Sequence, residues 1–161
     1  MNTQTDLTAQ QSQPEPLPES LRLRLAPLAS QVCEVLDVKH VLDYRCGAEP
    51  IARHLKVGHA IKVQLYEPKF ERFALPPLPA DLVFYCADDG IEDEMGVESL
   101  LRTLAALSGK ACILAVPVVR VHYAVWLTQA MRFFEVQTFQ KWQGGFFIVG
   151  YPLEEQVQLL S

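Results

Sequence analysis

The run Val41-Leu42-Asp43-Tyr44-Arg45-Cys46-Gly47, continuing into Ala48-Glu49-Pro50-Ile51-Ala52, decides the fold. A short apolar stretch ends in an acid, a turn containing glycine follows, and residues of good helical character come next. Strand, turn and helix start, in that order, is how an open α/β sheet presents ligand-binding backbone at the carboxyl end of a central strand. His40 to Tyr44 is therefore read as the first strand, with a crossover helix over roughly Pro50 to Leu55.

Outward from this run the pattern repeats. Before it, Leu21, Leu25, Leu28, Val32, Val35 and Leu36 recur at helical spacing between Glu19 and Asp37, with Pro27 expected to kink or divide the helix unless it opens a second half. After it, Ala60 to Tyr66 alternates apolar and polar residues as a second strand and ends at Glu67-Pro68. Pro76, Pro77 and Pro79 keep regular structure out of the next connection. Asp81 to Ala87 is apolar enough for a central strand buried on both faces. An acidic loop, Asp88 to Glu94, precedes a helix carrying Val97, Leu100, Leu101, Leu104 and Leu107 on one face, where the helix dipole favours the negative charge. Ala111 to Val116 is a fourth strand, Val121 to Arg132 a helix, and Phe134–Gln140 and Phe146–Tyr151 an antiparallel hairpin about Gly144-Gly145.

The chain of 161 residues suits one domain with a single core, and 50% hydrophobic against 20% charged residues is ordinary for a globular protein. A net charge of −5 without a basic cluster disfavours long contacts with a phosphate backbone, so nucleic acid is not the expected partner. Residues 1–18, polar and alternating prolines, form an expected disordered tail, with no basic start or apolar core of a signal peptide. No apolar run approaches the ~20 residues of a membrane span. Cys33, Cys46, Cys86 and Cys112 form no Cys-x-x-Cys pair and favour buried thiols over disulfides or zinc. A cytoplasmic protein is the expectation.

The central run resembles motif I of the class I S-adenosylmethionine-dependent methyltransferases, apolar strand then Asp-x-Gly-x-Gly. Other landmarks follow in the family's order: Tyr66-Glu67-Pro68 after strand two, Leu78-Pro79-Ala80-Asp81-Leu82-Val83 leading into the next strand, then the acidic loop. The pattern is most similar to short methyltransferase-like proteins of phages and prophages. The resemblance implies a Rossmann-like α/β fold over residues 19–161, a mainly parallel sheet with a terminal antiparallel hairpin, and S-adenosylmethionine as cofactor. It places Asp43, Arg45, Gly47, Glu67, Asp88 and Asp89 at the cofactor site. Glu67 would accept the ribose hydroxyls, Asp43 brace backbone N–H groups or meet the cofactor's amino group, and Gly47 admit close approach.

The departures are equally specific. Arg45 stands at the first glycine of motif I, Glu49 at a third, and Asp93 where the acidic loop usually carries histidine. His40, His54, His59 and His122 lack metal-ligand spacing, no calcium loop, nucleophile elbow or phosphate loop is present, and no residue stands out as a general base. Two readings stay open: methyl transfer to an unknown small-molecule or protein acceptor, or a catalytically degenerate methyltransferase fold with a binding or regulatory role.

Overall fold

The computed structural model describes residues 17–154. Of the expected tail, residues 1–16 lie outside the described residues, while Leu17 and Pro18 open helix α1 (Leu17–Val35). The remaining elements are β1 (His40–Tyr44), β2 (Lys62–Tyr66), β3 (Ala80–Cys86), α2 (Glu94–Leu107), β4 (Ser108–Val116), α3 (Tyr123–Phe133), β5 (Phe134–Trp142) and β6 (Gly145–Pro152).

The six strands form one sheet in the order β2-β1-β3-β4-β6-β5. β2, β1, β3 and β4 are mutually parallel, β6 runs antiparallel to β4, and β5 antiparallel to β6. β1 is central because its apolar residues are needed on both faces: Val41 packs with Leu82, Phe84 and Ile113 against Leu21, Leu25, Ala29 and Cys33 of α1. Leu42 turns to the other face, where Val83, Tyr85, Cys112 and Leu114 meet Val97, Leu101 and Leu104 of α2 and Trp126 of α3. The fold is the mainly parallel, hairpin-ended α/β sheet that the sequence predicts.

Three local expectations change. Pro27 lies inside a helix that runs on through it. Pro27 and Leu23, four residues earlier, are both exposed, so water can meet the carbonyl that the proline leaves unbonded. The first crossover is a single 3₁₀ turn, Ile51–His54, rather than an α-helix, and the backbone is extended again at Leu55. The hairpin turns one residue early: Gly144 takes φ +91°, while Gly145 pairs with Trp142 as the first residue of β6. A side chain at Gly145 would run into the Trp142 ring.

Asp93 caps α2 by accepting from the Gly96 N–H at 2.8 Å, and the helix passes without a loop into β4 at Ser108. No helix among the described residues is long and apolar enough to cross a membrane. All four cysteines are free and buried.

Candidate functional site

The carboxyl ends of β1, β2 and β3 bring the sequence-predicted residues to one end of the sheet. Asp43 ends in a place of its own, beneath the turn. It is fully buried, and its two oxygens accept from Nη1 of Arg22 at 2.8 and 2.9 Å, while Oδ2 also accepts from the Ile51 N–H at 2.7 Å. Arg22 Nη2 donates to the carbonyls of Arg45, at 2.7 Å, and Cys86, at 3.1 Å. Helix α1, the motif turn, the 3₁₀ turn and the end of β3 therefore meet at one ion pair, the 3₁₀ turn through Asp43 and the others through Arg22. Burial pushes the Asp43 carboxyl above its ordinary range, with Arg22 pulling it back. Asp43 thus braces one backbone N–H, that of Ile51, and both of its oxygens are engaged by Arg22.

Arg22 is the residue that sequence reading missed. The signal was present: a lone cation on the inward stripe of α1, three and four residues before Leu25 and Ala26. A buried arginine in such a stripe needs a carboxylate, and Asp43 is the buried acid of the neighbouring strand.

Arg45 adopts φ +68°, the left-handed region where glycine is normally found. Its N–H and that of Cys46 both donate to the Tyr66 carbonyl, at 2.8 and 3.0 Å, so the turn is tied to the end of β2. Its side chain lies across the site: Nη1 is 3.3 Å from Glu67 Oε2 and Nη2 is 2.6 Å from Asp89 Oδ1. Only 18% of the Arg45 side chain and 8% of that of Glu67 are exposed, and Arg45 Nε is buried without a hydrogen-bond partner. Asp89 also accepts from the Tyr85 hydroxyl at 2.5 Å. Burial first, and then Asp89, push the Tyr85 phenol far up, so it stays a donor. Tyr44 stacks at a tilt between Tyr66 and Tyr85, with ring centres 4.8 and 6.2 Å away, as an aromatic wall under this cluster.

Asp88 goes elsewhere. It pairs with Arg120 from the β4–α3 connection, and that hydrogen bond holds its carboxyl below the ordinary range. Gly47 has φ +62° and nothing within 4 Å of where a Cβ would stand, so the turn keeps an open flank. Beside it, an open cleft of about 760 Å³ is lined by Ala48, Lys69, Phe70, Glu71 and Arg72. The structure thus brings Arg45, Glu67 and Asp89 together, sets Gly47 beside them, and takes Asp43 and Asp88 into other pairs. Among the described residues, no group of three His, Cys, Asp or Glu side chains gathers to hold a metal ion.

Two of the carboxylates that the resemblance gives to S-adenosylmethionine, Glu67 and Asp89, share one guanidinium, and the space among Tyr85, Asp88, Asp89, Val116 and Trp126 amounts to about 10 Å³, so the open cleft beside Gly47 is where a ligand of that size has room.

No family model matches the sequence, and neither does any curated protein sequence. Solved structures do match. TnmH superposes with a TM-score of 0.57 at 12% identity over 95% of this chain, which spans 62% of TnmH. A TehB-like S-adenosylmethionine-dependent methyltransferase from Corynebacterium glutamicum gives 0.54 at 13% identity, covering 94% of this chain and 95% of that one. Magnesium protoporphyrin IX methyltransferase from Synechocystis, solved with bound S-adenosylmethionine, gives 0.56 at 12% identity over 84% and 78%. Other neighbours are rRNA methylases. The fold is the Rossmann-like fold of S-adenosylmethionine-dependent methyltransferases.

Proposed function

We propose that this chain is a catalytically silent protein of methyltransferase fold, with a binding or regulatory role. One observation carries the reading: the Arg45 guanidinium lies between Glu67 and Asp89 in the place that motif I normally keeps clear. The cation is held by a backbone turn that is itself fastened, through its carbonyl, to the buried Arg22–Asp43 pair. Breaking both outer ion pairs in a half-buried site costs more than a surface pair would, so the closed arrangement is the resting one.

A second reading rests on Glu67 at the end of β2 and on the open flank at Gly47. In it the protein is a methyltransferase that uses S-adenosylmethionine on an unknown small-molecule, protein or RNA acceptor, and Arg45 swings out before the cofactor enters. Titration calorimetry of the parent protein with S-adenosylmethionine and S-adenosylhomocysteine separates the two. The silent reading expects no heat from either ligand at physiological concentrations. Micromolar binding of both would overturn it and establish the enzyme reading's cofactor.

A further inference from the structure

We propose that a second copy of this chain pairs along the outer edge of β2, strand against antiparallel strand, about a two-fold axis at Gln64. β2 is an edge strand because the connection that follows it, residues 67–79, contributes only a 3₁₀ turn and no further strand. The Lys62 N–H donates to the Lys39 carbonyl, and the Tyr66 carbonyl accepts from Arg45 and Cys46. Lys62, Gln64 and Tyr66 therefore turn their backbone groups toward β1, and alternation along the strand leaves those of Val63 and Leu65 pointing outward. At the far end the outward N–H of Glu67 is already bonded to the Phe73 carbonyl at 2.8 Å, so the open window is closed there.

This window is its own complement. With Gln64 opposite Gln64 of the second copy, Val63 meets Leu65, and each such pair exchanges two backbone hydrogen bonds. The same register sets Lys62 across from a Tyr66 ring, a favourable cation–π partner, and brings no like charges face to face. A short edge strand bearing a lysine ordinarily discourages pairing, but here the lysine finds a ring rather than its own copy. Apolar side chains of the connection after β2 are exposed. Leu75 is 76% and Leu78 69% exposed, and the Leu78 N–H donates to Gln64 Oε1 at 3.2 Å, which holds this connection against β2. The opposite edge of the sheet differs: β5 presents Glu135, Gln137, Thr138, Gln140 and Lys141 to solvent. Pairing at β2 joins two sheets into one across an isologous interface.

Analytical ultracentrifugation of the full chain tests this directly. The parent should sediment at twice its 18.1 kDa monomer mass at high micromolar concentration. Gln64→Glu keeps an oxygen for the Leu78 N–H and opposes two carboxylates only in the paired state. It should raise the dimer dissociation constant about fivefold at low salt, the upper end for like charges directly opposite, and added salt should reverse the effect. Leu65→Pro removes an outward N–H that β1 does not use, and should leave a monomer. A parent that stays monomeric at every concentration overturns the proposal, as does equal dimerisation of Gln64→Glu and parent at low salt.

Discussion

Arg22 of α1 and Asp43 of β1 form a buried ion pair in which one guanidinium nitrogen meets both carboxylate oxygens, at 2.8 and 2.9 Å. The other nitrogen reaches the Arg45 carbonyl, so the pair also fastens the turn whose backbone is in the left-handed region. The buried carboxylate is thereby part of the frame that holds the turn.

Removing one partner leaves the other charged in a dry place. Arg22→Met should cost about 3–5 kcal/mol, a fall in Tm of roughly 10–15 °C at this chain length. Arg22→Met combined with Asp43→Leu should recover much of that loss, because no charge is then stranded. Thermal unfolding of the single and double variants checks both steps. A single variant within about 1 kcal/mol of the parent would mean that the pair holds nothing together.

The cysteines set an alkaline limit on stability. Burial, the main cause in each case, pushes the Cys33 and Cys46 thiols up to about 11, and Cys86 and Cys112 up to about 12, from an ordinary value of 9.0. In the unfolded chain these thiols ionise near the ordinary value, so above it the unfolded state sheds protons that the folded state keeps. Their contribution is intact below about pH 9 and is lost progressively as pH rises toward 11–12. Urea midpoints should therefore fall between pH 8.5 and 10.5, and a Cys86→Ala variant should show a shallower decline. A thiol reagent at pH 8 should find all four cysteines only after denaturation.

Much of the fold was legible in the sequence. β1 and β3 are apolar runs with turns at both ends, and helical spacing precedes β1 and follows β3, which leaves few arrangements of the sheet. The crossover after β1 differs from the reading because Pro50 to Leu55 has helical composition, and composition does not tell a single 3₁₀ turn from an α-helix. Within the site, Glu67 and Asp89 were legible as acids after strands. Arg45 was legible as a misfit for motif I, but the choice among Glu49, Glu67 and Asp89 as its partners depends on the spacing of three strand ends, which only packing sets. Glu49 instead lies near Arg53, one helical turn on.

Glu67 holds Arg45 at 3.3 Å while Asp89 holds it at 2.6 Å, so the two acids are unequal partners. Glu67→Gln should leave Arg45 in place on Asp89 and change stability by less than about 1.5 kcal/mol. In an Arg45→Gly background, where the carboxylate is freed, Glu67→Ala should weaken adenosine binding by roughly 1–3 kcal/mol through lost charge-assisted hydrogen bonds to the ribose. Unchanged adenosine affinity between Arg45→Gly and the double variant would remove Glu67 from the site.

Arg45→Gly itself decides what the arginine is for. Three effects compete. Glycine relieves a backbone conformation that costs a residue with a Cβ roughly 1–2 kcal/mol. Against this, the substitution strands Glu67 and Asp89 near each other without a cation, which destabilises the empty protein. For ligand binding, the opened space favours either ligand, while the two uncompensated carboxylates favour a cation. A like-charge contact at 4 Å costs about 4 kcal/mol at an effective dielectric of 20, so losing the guanidinium should help the sulfonium of S-adenosylmethionine far more than the neutral sulfur of S-adenosylhomocysteine. Calorimetry should show Arg45→Gly binding both ligands, with the larger gain for S-adenosylmethionine and a difference that shrinks as salt is added. Equal gains would make Arg45 a steric plug alone. If the substitution weakens both ligands instead, the guanidinium is a clamp for the ligand's carboxylate, and the site is an adapted cofactor site rather than a closed one.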